Sequence, residues 1–451
     1  MSSTIAPSRA AGRRVPLRHG FGFELVKLLS QWRIRLVLLA CWVTPAVFVA
    51  AVSAQSSLPA DTVFGRWMGT TGWADSLVVL AFSCTWALPL LTSLVAGDVF
   101  AAEDRLGTWQ HLLVAVRSPQ RIFAAKALAS LTVILLLVVG LAASGIAGGL
   151  VAVGSRPLVG LDGHLLAPGE AGGMVLLAWV CALAPTLAFA AVGLLGSVAL
   201  GRSPMGLLMP ALLALLLQLA QMLPLPVVVR VALPSHAFLA WRGLFTSPAQ
   251  SGPLVVGLVV SLGWAAAATA LAYLLFVRRD FTDPAYDGSG RRVLVAAVLP
   301  LAALLVATVA LVSVATPATG SGIDRAKLQG SLATSFSHLY VLQTSELHRP
   351  TVTEEQLHTR ARCDRGGDRV EDAGPGADWR CVVTWTLPGA TATGTAIYQL
   401  DVTADGRYVA DGDGPKEVNG SFRVRTPTGD VPNPLWQLDG TVDLLTSTSK
   451  G

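Results

Sequence analysis

The chain has 451 residues, of which 53% are hydrophobic and 14% charged, a composition outside the range of soluble domains. Its net charge is +5, but residues 1–316 carry 20 basic and 11 acidic groups whereas residues 317–451 carry 13 and 17. Because the basic excess flanks apolar segments and no basic helix has interleaved aromatic residues, the sequence argues against nucleic-acid binding and indicates a membrane protein.

The N-terminal region is predicted to contain two parts. Residues 1–18 form a disordered basic tail, and the segment that follows, up to residue 34, interleaves apolar and charged residues like an amphipathic helix in the membrane interface. Its apolar members are Phe21, Phe23, Leu25, Val26, Leu28, Leu29 and Trp32, and its charged members are Glu24, Lys27 and Arg33. The alternative is that this segment is only the flank of the first membrane span.

Seven stretches are apolar over the roughly 20 residues that a helix needs to cross a bilayer. They lie near residues 35–54, 74–97, 123–153, 173–200, 205–223, 253–277 and 293–316. With the N-terminus inside, the cytoplasmic segments hold sixteen Lys and Arg residues and the short outer loops hold four, namely Arg66, Arg156, Arg230 and Arg242. This bias predicts a multi-pass protein of the plasma (cytoplasmic) membrane, and the odd number of spans places the C-terminal region outside.

Residues 317–451 are polar and turn-rich and predict a small extracytoplasmic α+β domain. The expected fold is therefore an all-α polytopic membrane part, an interfacial helix plus about seven spans, followed by this domain. Hydrophobic spacing predicts helices over residues 324–347 and 354–362. Strand patterns cover residues 379–387, 396–403 and 421–425, with a hairpin turn at Asp405-Gly406.

Two of the five cysteines, Cys363 and Cys381, lie in this C-terminal region. Because the compartment is predicted to be oxidising, we expect a disulfide that closes a loop of 17 residues and stabilises the domain by about 3 kcal/mol. A metal pair is the weaker alternative, since no further cysteine and no well-spaced histidine accompany them. No metal site is predicted.

Catalytic and cofactor motifs are absent from the sequence. It contains no GxxxxGK[ST], HExxH, CxxC or GxSxG pattern, so the chain is predicted to be no enzyme and to bind no ATP or other cofactor itself. The spans contain few ionisable residues, unlike those of an ion-coupled carrier. If the chain moves a substrate uphill, the energy should come from another chain.

A charged segment, residues 97–126, separates the second and third predicted spans. A polar connector cannot lie in hydrocarbon, so the segment predicts an aqueous loop on the cytoplasmic face. Its charged residues are Asp98, Glu103, Asp104, Arg105, Arg117, Arg121 and Lys126. The order of residue types resembles the first cytoplasmic loop of type-2 ATP-binding-cassette (ABC) exporter permeases. The matching positions are Gly97, Glu103, Gly107, Thr108, Leu112, Leu113, Pro119, Arg121 and Lys126.

The resemblance implies a six-span permease domain over residues 19–281. It leaves unexplained the linker and seventh span over residues 282–316 and the domain beyond them. It also implies a homodimer or heterodimer, in contact with membrane lipid, that works on two separate cytoplasmic ABC ATPase subunits carrying the ATP and Mg.

Within this resemblance, residues 98–121 would couple the permease to the ATPases. Trp109, Leu112 and Leu113 would be apolar anchors, and Glu103, Asp104 and Arg105 would set the electrostatic register. The sequence departs from the family after Gly107-Thr108, where Trp109 and Gln110 replace a second acidic residue. The alternative is a solvated connector without a partner.

The outer segment between the fifth and sixth spans mixes Pro224, Pro226 and Pro234 with apolar runs. It resembles the short outer-leaflet helices of the same family, in which case Arg230 and Arg242 would line or rim the exit. An ordinary interfacial loop explains the pattern equally well. A second function class is also open, a membrane-anchored receptor or assembly factor acting through the outer domain, whereas a lipid-modifying enzyme is disfavoured because catalytic groups are missing.

Overall fold

Long apolar helices make up the first two thirds of the chain, and a small sheet domain makes up the last third. The computed structural model describes residues 16–55, 66–116, 118–200, 205–279, 281, 290–366, 370–426 and 429–446. Most of the predicted basic tail, Arg117 and most of the linker after residue 281 therefore lie outside the described residues.

The described helices follow the apolar pattern of the sequence. In chain order they are α1 (Leu17–Ser30), α2 (Trp32–Ser53), α3 (Gly72–Leu106), α4 (Trp109–Val116), α5 (Pro119–Ala152), α6 (Pro168–Leu200), α7 (Met205–Ala220), α8 (Val227–Val231), α9 (Ser251–Val277), α10 (Gly290–Ala315), α11 (Arg325–Glu346), α12 (Glu354–Leu357) and α13 (Lys416–Asn419). Six of them, α2, α3, α5, α6, α9 and α10, are long and apolar enough to cross a membrane.

Six of the seven predicted spans are thus confirmed as helices of membrane-crossing length. The fifth, residues 205–223, corresponds to the shorter helix α7, which ends at Ala220. A turn follows it, and prolines at positions 224 and 226 prevent the helix from continuing, because proline lacks the N–H that a helix interior needs.

The helix ends fall into two groups. At one end, Arg33 of α2 pairs with Asp98 of α3 at 3.1 Å, and Phe123 of α5 lies 5.8 Å from Phe276 of α9. We call this the Glu103 end. At the other end, the Gly72 N–H donates to the Gly154 carbonyl at 2.9 Å, and α3 crosses α5 so closely that a Cβ on Gly72 would overlap the backbone at Gly149.

Burial divides the bundle into a centre and a periphery. Within the most apolar window of each helix, 67% of the α6 residues are buried but only 22% of those in α2 and 11% of those in α10. Helices α3, α5 and α6 therefore form the centre, and the apolar outer faces of α2 and α10 are typical of surfaces that contact lipid.

The described strands are β1 (Leu158–Val159), β2 (Leu165–Leu166), β3 (Arg360–Arg365), β4 (Gly376–Thr386), β5 (Thr393–Val402), β6 (Arg407–Gly412), β7 (Arg423–Thr426), β8 (Gly429–Pro432) and β9 (Gln437–Thr441). The C-terminal region, which we call the tail domain, contains a five-stranded antiparallel sheet in the order β3-β4-β5-β6-β9. Strands β1 and β2, before α6, and strands β7 and β8, within the tail domain, form two short hairpins. Helix α11 packs on the sheet through Leu328, Leu332 and Phe336, which are fully buried.

Most of the elements that the sequence predicts for the tail domain are present in the structure. The predicted helix over 324–347, the three strands and the turn at Asp405-Gly406 coincide with α11, β4, β5, β7 and the β5–β6 connection. The helix predicted over 354–362 is wrong beyond Leu357, because His358 adopts a left-handed backbone and the chain then pairs with β4 as strand β3. Cys363 and Cys381 are directly opposite each other in that pairing and form the predicted disulfide.

Candidate functional site

The segment predicted as an aqueous loop is mostly helical. Helix α3 continues through residue 106 and ends at Gly107, whose left-handed backbone (φ 65°) closes the helix. Thr108 leads directly into α4, and Pro119 lies at the start of α5, where its missing N–H costs nothing. The alternative of a merely solvated connector does not describe this segment, because its helices pack against the bundle.

Burial of Glu103 requires compensating charge, and two lysines supply it. Glu103 and Lys126 are each only 1% exposed, and the Lys126 ammonium lies 2.7 Å from the Glu103 carboxylate. Lys126 also lies 2.9 Å from the Glu24 carboxylate. Lys27 and the Thr108 hydroxyl donate to Glu103 as well. This Glu103 cluster, formed by Glu24, Lys27, Glu103, Thr108 and Lys126, contains two acids and two bases.

The cluster joins three helices, because its charged members come from α1, α3 and α5. It also explains the orientation of α1. Glu24 and Leu28 face the bundle, whereas Phe23 and Val26 are exposed on the opposite side. The polar contacts of α1 thus point inward and an apolar face points outward, which suits a helix lying in the membrane interface.

An aromatic cluster anchors the start of α4. Trp109 is buried and its ring lies 6.2 Å from that of Phe100 and 5.4 Å from that of Phe276. The Trp109 indole N–H donates to Asp104 at 2.7 Å, and the Arg279 guanidinium donates to both carboxylate oxygens of Asp104 at 2.9 and 2.5 Å. These contacts fix α4 to α3 and to the end of α9.

The other residues of the charged segment that the sequence predicts to contact a partner lie partly on the inner and partly on the outer side of the helices. Leu112 and Leu113 are half-buried and pack toward the bundle, and Arg121 is half-buried at the start of α5. Arg105 is exposed beside Asp98 at 3.9 Å. The outer face of α4 is formed by Gln110, His111, Val114 and Ala115. Trp109, which the sequence predicts as an anchor for a partner, is thus an internal anchor, and Val114, at 73% exposed, offers more apolar surface to a partner.

The second predicted site lies where the tail domain contacts the bundle. Arg230 is 1% exposed, and its Nη1 atom donates to the Ala404 carbonyl. The Arg242 Nη1 atom donates to Asp405 at 2.6 Å, and the Arg407 Nε atom lies 3.1 Å from the same carboxylate. The structure therefore brings Arg230 and Arg242 together under the β5–β6 turn instead of placing them at an open rim. An exit at this point would require the tail domain to lift.

Further contacts close the same interface, which we call the seam. Arg66 pairs with Asp439, and the His338 Nδ1 atom lies 3.0 Å from the Asp162 carbonyl oxygen. Burial alone would raise the pKa of Asp405, but Arg242 and Arg407 outweigh it and hold the pKa below its usual value. Burial raises the pKa of Asp439 to about 6, although Arg66 opposes the shift.

A large cleft opens beside the seam, between the start of α9, the end of α10 and helix α11. Its volume is about 750 Å³. Val255, Val256 and Ala315 line its apolar side, and Lys327, Ser331 and Asp443 line its polar side. The cleft can therefore accept a molecule that has both apolar and polar parts.

Residues other than the matching positions of the charged segment also contribute to these sites. Glu24, Lys27 and Arg279 were not predicted as site residues, although isolated charges beside apolar runs are a signal for buried pairing. Within the described part of the chain, no group of three or more His, Cys, Asp or Glu side chains could hold a metal ion.

Comparison with known proteins adds no assignment to these sites. No protein-family model matches the chain, and no curated protein is similar to it. The residues and their geometry are therefore the basis for a functional proposal.

Proposed function

We propose that the chain is the membrane-spanning permease subunit of an ATP-driven exporter of the type-2 ABC class, working as a dimer on separate cytoplasmic ATPase subunits. The observation that carries this proposal is helix α4. It lies at the Glu103 end, in the segment whose residues resemble the family's coupling loop, and its inner face is anchored while its outer face is exposed.

The anchoring of α4 gives the proposal its mechanism. A force applied to α4 is transmitted to α3 and α9 through the Asp104–Arg279 pair and the Trp109 ring. The Glu103 cluster connects the same end of α3 to α1 and α5. Separating buried charges from their partners is costly, about 3–5 kcal/mol for a broken pair. These helices should therefore move as one unit when the ATPases close, and rocking of the unit opens the pathway.

The course of α7 supports a chain that crosses the membrane seven times. Before α7, the Ser197 hydroxyl of α6 accepts from the Phe100 N–H at 3.0 Å, near the Glu103 end. After α7, the Gln221 side chain donates to the Arg230 carbonyl at 3.3 Å, at the seam. The 16 residues of α7 therefore connect the two ends and span about 24 Å. With the basic flanks inside, the Glu103 end is cytoplasmic and the tail domain is outside.

Coupling is tested with the substitution Val114→Asp on the exposed face of α4. We expect it to weaken copurification with a cytoplasmic phosphate-loop ATPase encoded beside the chain and to lower substrate-stimulated hydrolysis at least tenfold. The buried anchors are untouched, so the yield of folded chain should be unchanged. Val370→Asp, at an exposed valine of the tail domain, is the matched control and should couple normally. Wild-type affinity and hydrolysis in Val114→Asp would contradict the proposal.

A second candidate function, a membrane-anchored receptor, is favoured by the cleft of about 750 Å³ beside the seam. The two candidates differ in their dependence on the ATPase. A receptor would bind its ligand in the cleft with the same affinity whether or not an ATPase is present. A permease would bind and release ligand in step with hydrolysis, so ligand release that follows added ATP favours the exporter.

A further inference from the structure

His338 lies in the seam and has oxygen acceptors at both of its ring nitrogens. Its Nδ1 atom is 3.0 Å from the Asp162 carbonyl oxygen and 3.5 Å from the Asp162 carboxylate. Its Nε2 atom is 3.0 Å from the Glu354 carboxylate. Asp162 belongs to the connection between β1 and β2 of the bundle, and Glu354 begins α12 of the tail domain. One buried imidazole ring on α11 therefore contacts an outer loop of the bundle and a second helix of the tail domain.

Only the protonated ring can make both contacts. A neutral imidazole carries one N–H, so it donates from one nitrogen and presents a lone pair at the other. A carbonyl and an ionised carboxylate can only accept, so in either neutral tautomer one of the two contacts sets an acceptor against an acceptor. The Glu354 side chain is 50% exposed, and water stabilises its ionised form. The imidazolium donates from both nitrogens, and both bonds are then charge-assisted.

The neighbouring titratable groups favour the same form of His338. Burial alone would raise the pKa of Asp162, but hydrogen bonds from His164 and from a backbone N–H outweigh it and hold the pKa below its usual value. The His164 ring lies 5.9 Å from that of His338, and it contacts Asp162 through Nδ1, from which a neutral ring can donate. Tyr408 of β6 senses the charge of Asp162, but burial raises its pKa and keeps it neutral. His338 therefore faces two carboxylates, Asp162 and Glu354.

The loop that carries Asp162 is packed directly against α11. Gly163 has a left-handed backbone (φ 87°), and a Cβ at this position would lie 2.5 Å from the Cγ atom of Leu339. Leu339 follows His338 on α11 and is itself buried. The apolar contact and the polar contact therefore hold the same loop, and loss of the His338–Asp162 hydrogen bond weakens the interface at its polar anchor.

We propose that His338 is a proton-binding switch for the tail domain: its protonated ring holds the domain on the outer loop of the bundle, and loss of the proton loosens it. Histidine changes its charge between about pH 5 and 8. Because the docked state binds this proton more tightly than the undocked state, docking weakens as the pH rises through that range. Lifting of the tail domain is then easiest at the alkaline end. The proposal goes beyond the exporter assignment and is independent of it, since it requires no ATPase.

The test measures hydrogen exchange of the full chain in detergent at about pH 6 and about pH 8, with each rate divided by the intrinsic rate at that pH. We expect amides of the β1–β2 connection and of α12 to be about tenfold less protected at the higher pH, as for the loss of a hydrogen bond to a charged group. His338→Gln cannot be charged and should lose this pH dependence. His348→Asn, at an exposed histidine just after α11 whose left-handed backbone asparagine also adopts, is the control and should follow the wild type.

Glu354→Gln separates proton binding from a merely structural contact. The new amide can donate to a neutral Nε2 while Nδ1–H still donates to the Asp162 carbonyl, so both contacts persist without the additional proton. Protection in this variant should therefore stay near the acidic value of the wild type at both pH values. Glu354 is half exposed, so this test remains available if His338→Gln does not fold. Equal protection of the wild type at both pH values, or an undiminished pH dependence in Glu354→Gln, would overturn the proposal.

Discussion

The two ends of the helix bundle bury charge in different ways. The Glu103 cluster contains two carboxylates and two ammonium groups, each within contact of an opposite charge. At the seam, Arg230 donates to the Ala404 carbonyl, and Arg242 pairs with Asp405, which also contacts Arg407 of its own domain. In a balanced cluster each charge has an opposite charge within the protein, so the cluster links the helices that supply its members. The seam contacts instead join the tail domain to the bundle pair by pair.

This difference also separates the roles that the two ends can have. At the Glu103 end the charges hold α1, α3 and α5 together, so that a force on α4 is transmitted to all three helices. At the seam the charges hold the tail domain against the bundle. The first arrangement suits the transmission of movement between helices, and the second suits the docking of one domain on another.

The largest expected effect comes from removing the base at the centre of the balanced cluster. Lys126→Met leaves the buried carboxylates of Glu24 and Glu103 with Lys27 alone. We expect a loss of about 3–5 kcal/mol in the free energy of unfolding, measured as a drop in melting temperature by fluorescence-detected gel filtration. Adding Glu103→Gln should recover a large part of it, because one unpaired charge is removed. A wild-type melting temperature in Lys126→Met would show that the cluster does not stabilise the contacts between these helices.

A smaller effect is expected from the proton on Asp439 at the seam. Burial raises its pKa from 3.8 to about 6 despite Arg66. The folded chain therefore holds this proton up to about pH 6, while the unfolded chain releases it near pH 4. Because the folded state binds more protons in this window, the stability contributed by this group falls as the pH rises from about 4 to about 6, by at most about 3 kcal/mol.

The measurement compares melting temperatures of the wild type and Asp439→Asn across this pH window. The variant should lack the decline that Asp439 contributes, so the difference between the two proteins should change with pH. Asp401→Asn, at an exposed aspartate of β5, is the control and should follow the wild type. Parallel curves for the wild type and Asp439→Asn would mean that the seam keeps this carboxylate ionised.

Local patterns in the sequence were sufficient to predict much of the fold. The apolar runs identified six helices of membrane-crossing length, and alternating residues identified β4 and β5. The disulfide was predictable because the tail region holds only two cysteines. The segment after Leu357 was misassigned because its pairing with β4 involves residues about twenty positions further along the chain, which outweigh its helical spacing.

Both candidate sites depend on contacts between distant residues. Glu103 looks like a solvated charge until Lys27, 76 positions away, is brought beside it. Arg242 meets Asp405 across 163 positions. Composition indicates that such charges need partners when buried, but only the fold identifies the partners. The charged segment lies between two helices of membrane-crossing length, while its most conspicuous residues, Glu103 and Trp109, point inward.

The smallest effect is expected from Glu24→Gln, which tests how far the Glu103 cluster holds α1 on the bundle without changing the overall stability much. Glu24→Gln keeps an oxygen that can accept from Lys126, and Glu103 continues to pair with that lysine at 2.7 Å. We expect a loss of only about 1 kcal/mol in the free energy of unfolding, so the chain should remain folded. The link between α1 and the bundle weakens, however, because Glu24 is the residue of α1 that meets Lys126. Hydrogen exchange of the α1 amides should therefore accelerate while that of α3 and α5 stays unchanged.

Glu170→Gln, at an exposed glutamate at the start of α6, provides the control. Unchanged exchange in α1 would assign its docking to Lys27 and the apolar contacts of Leu28 instead.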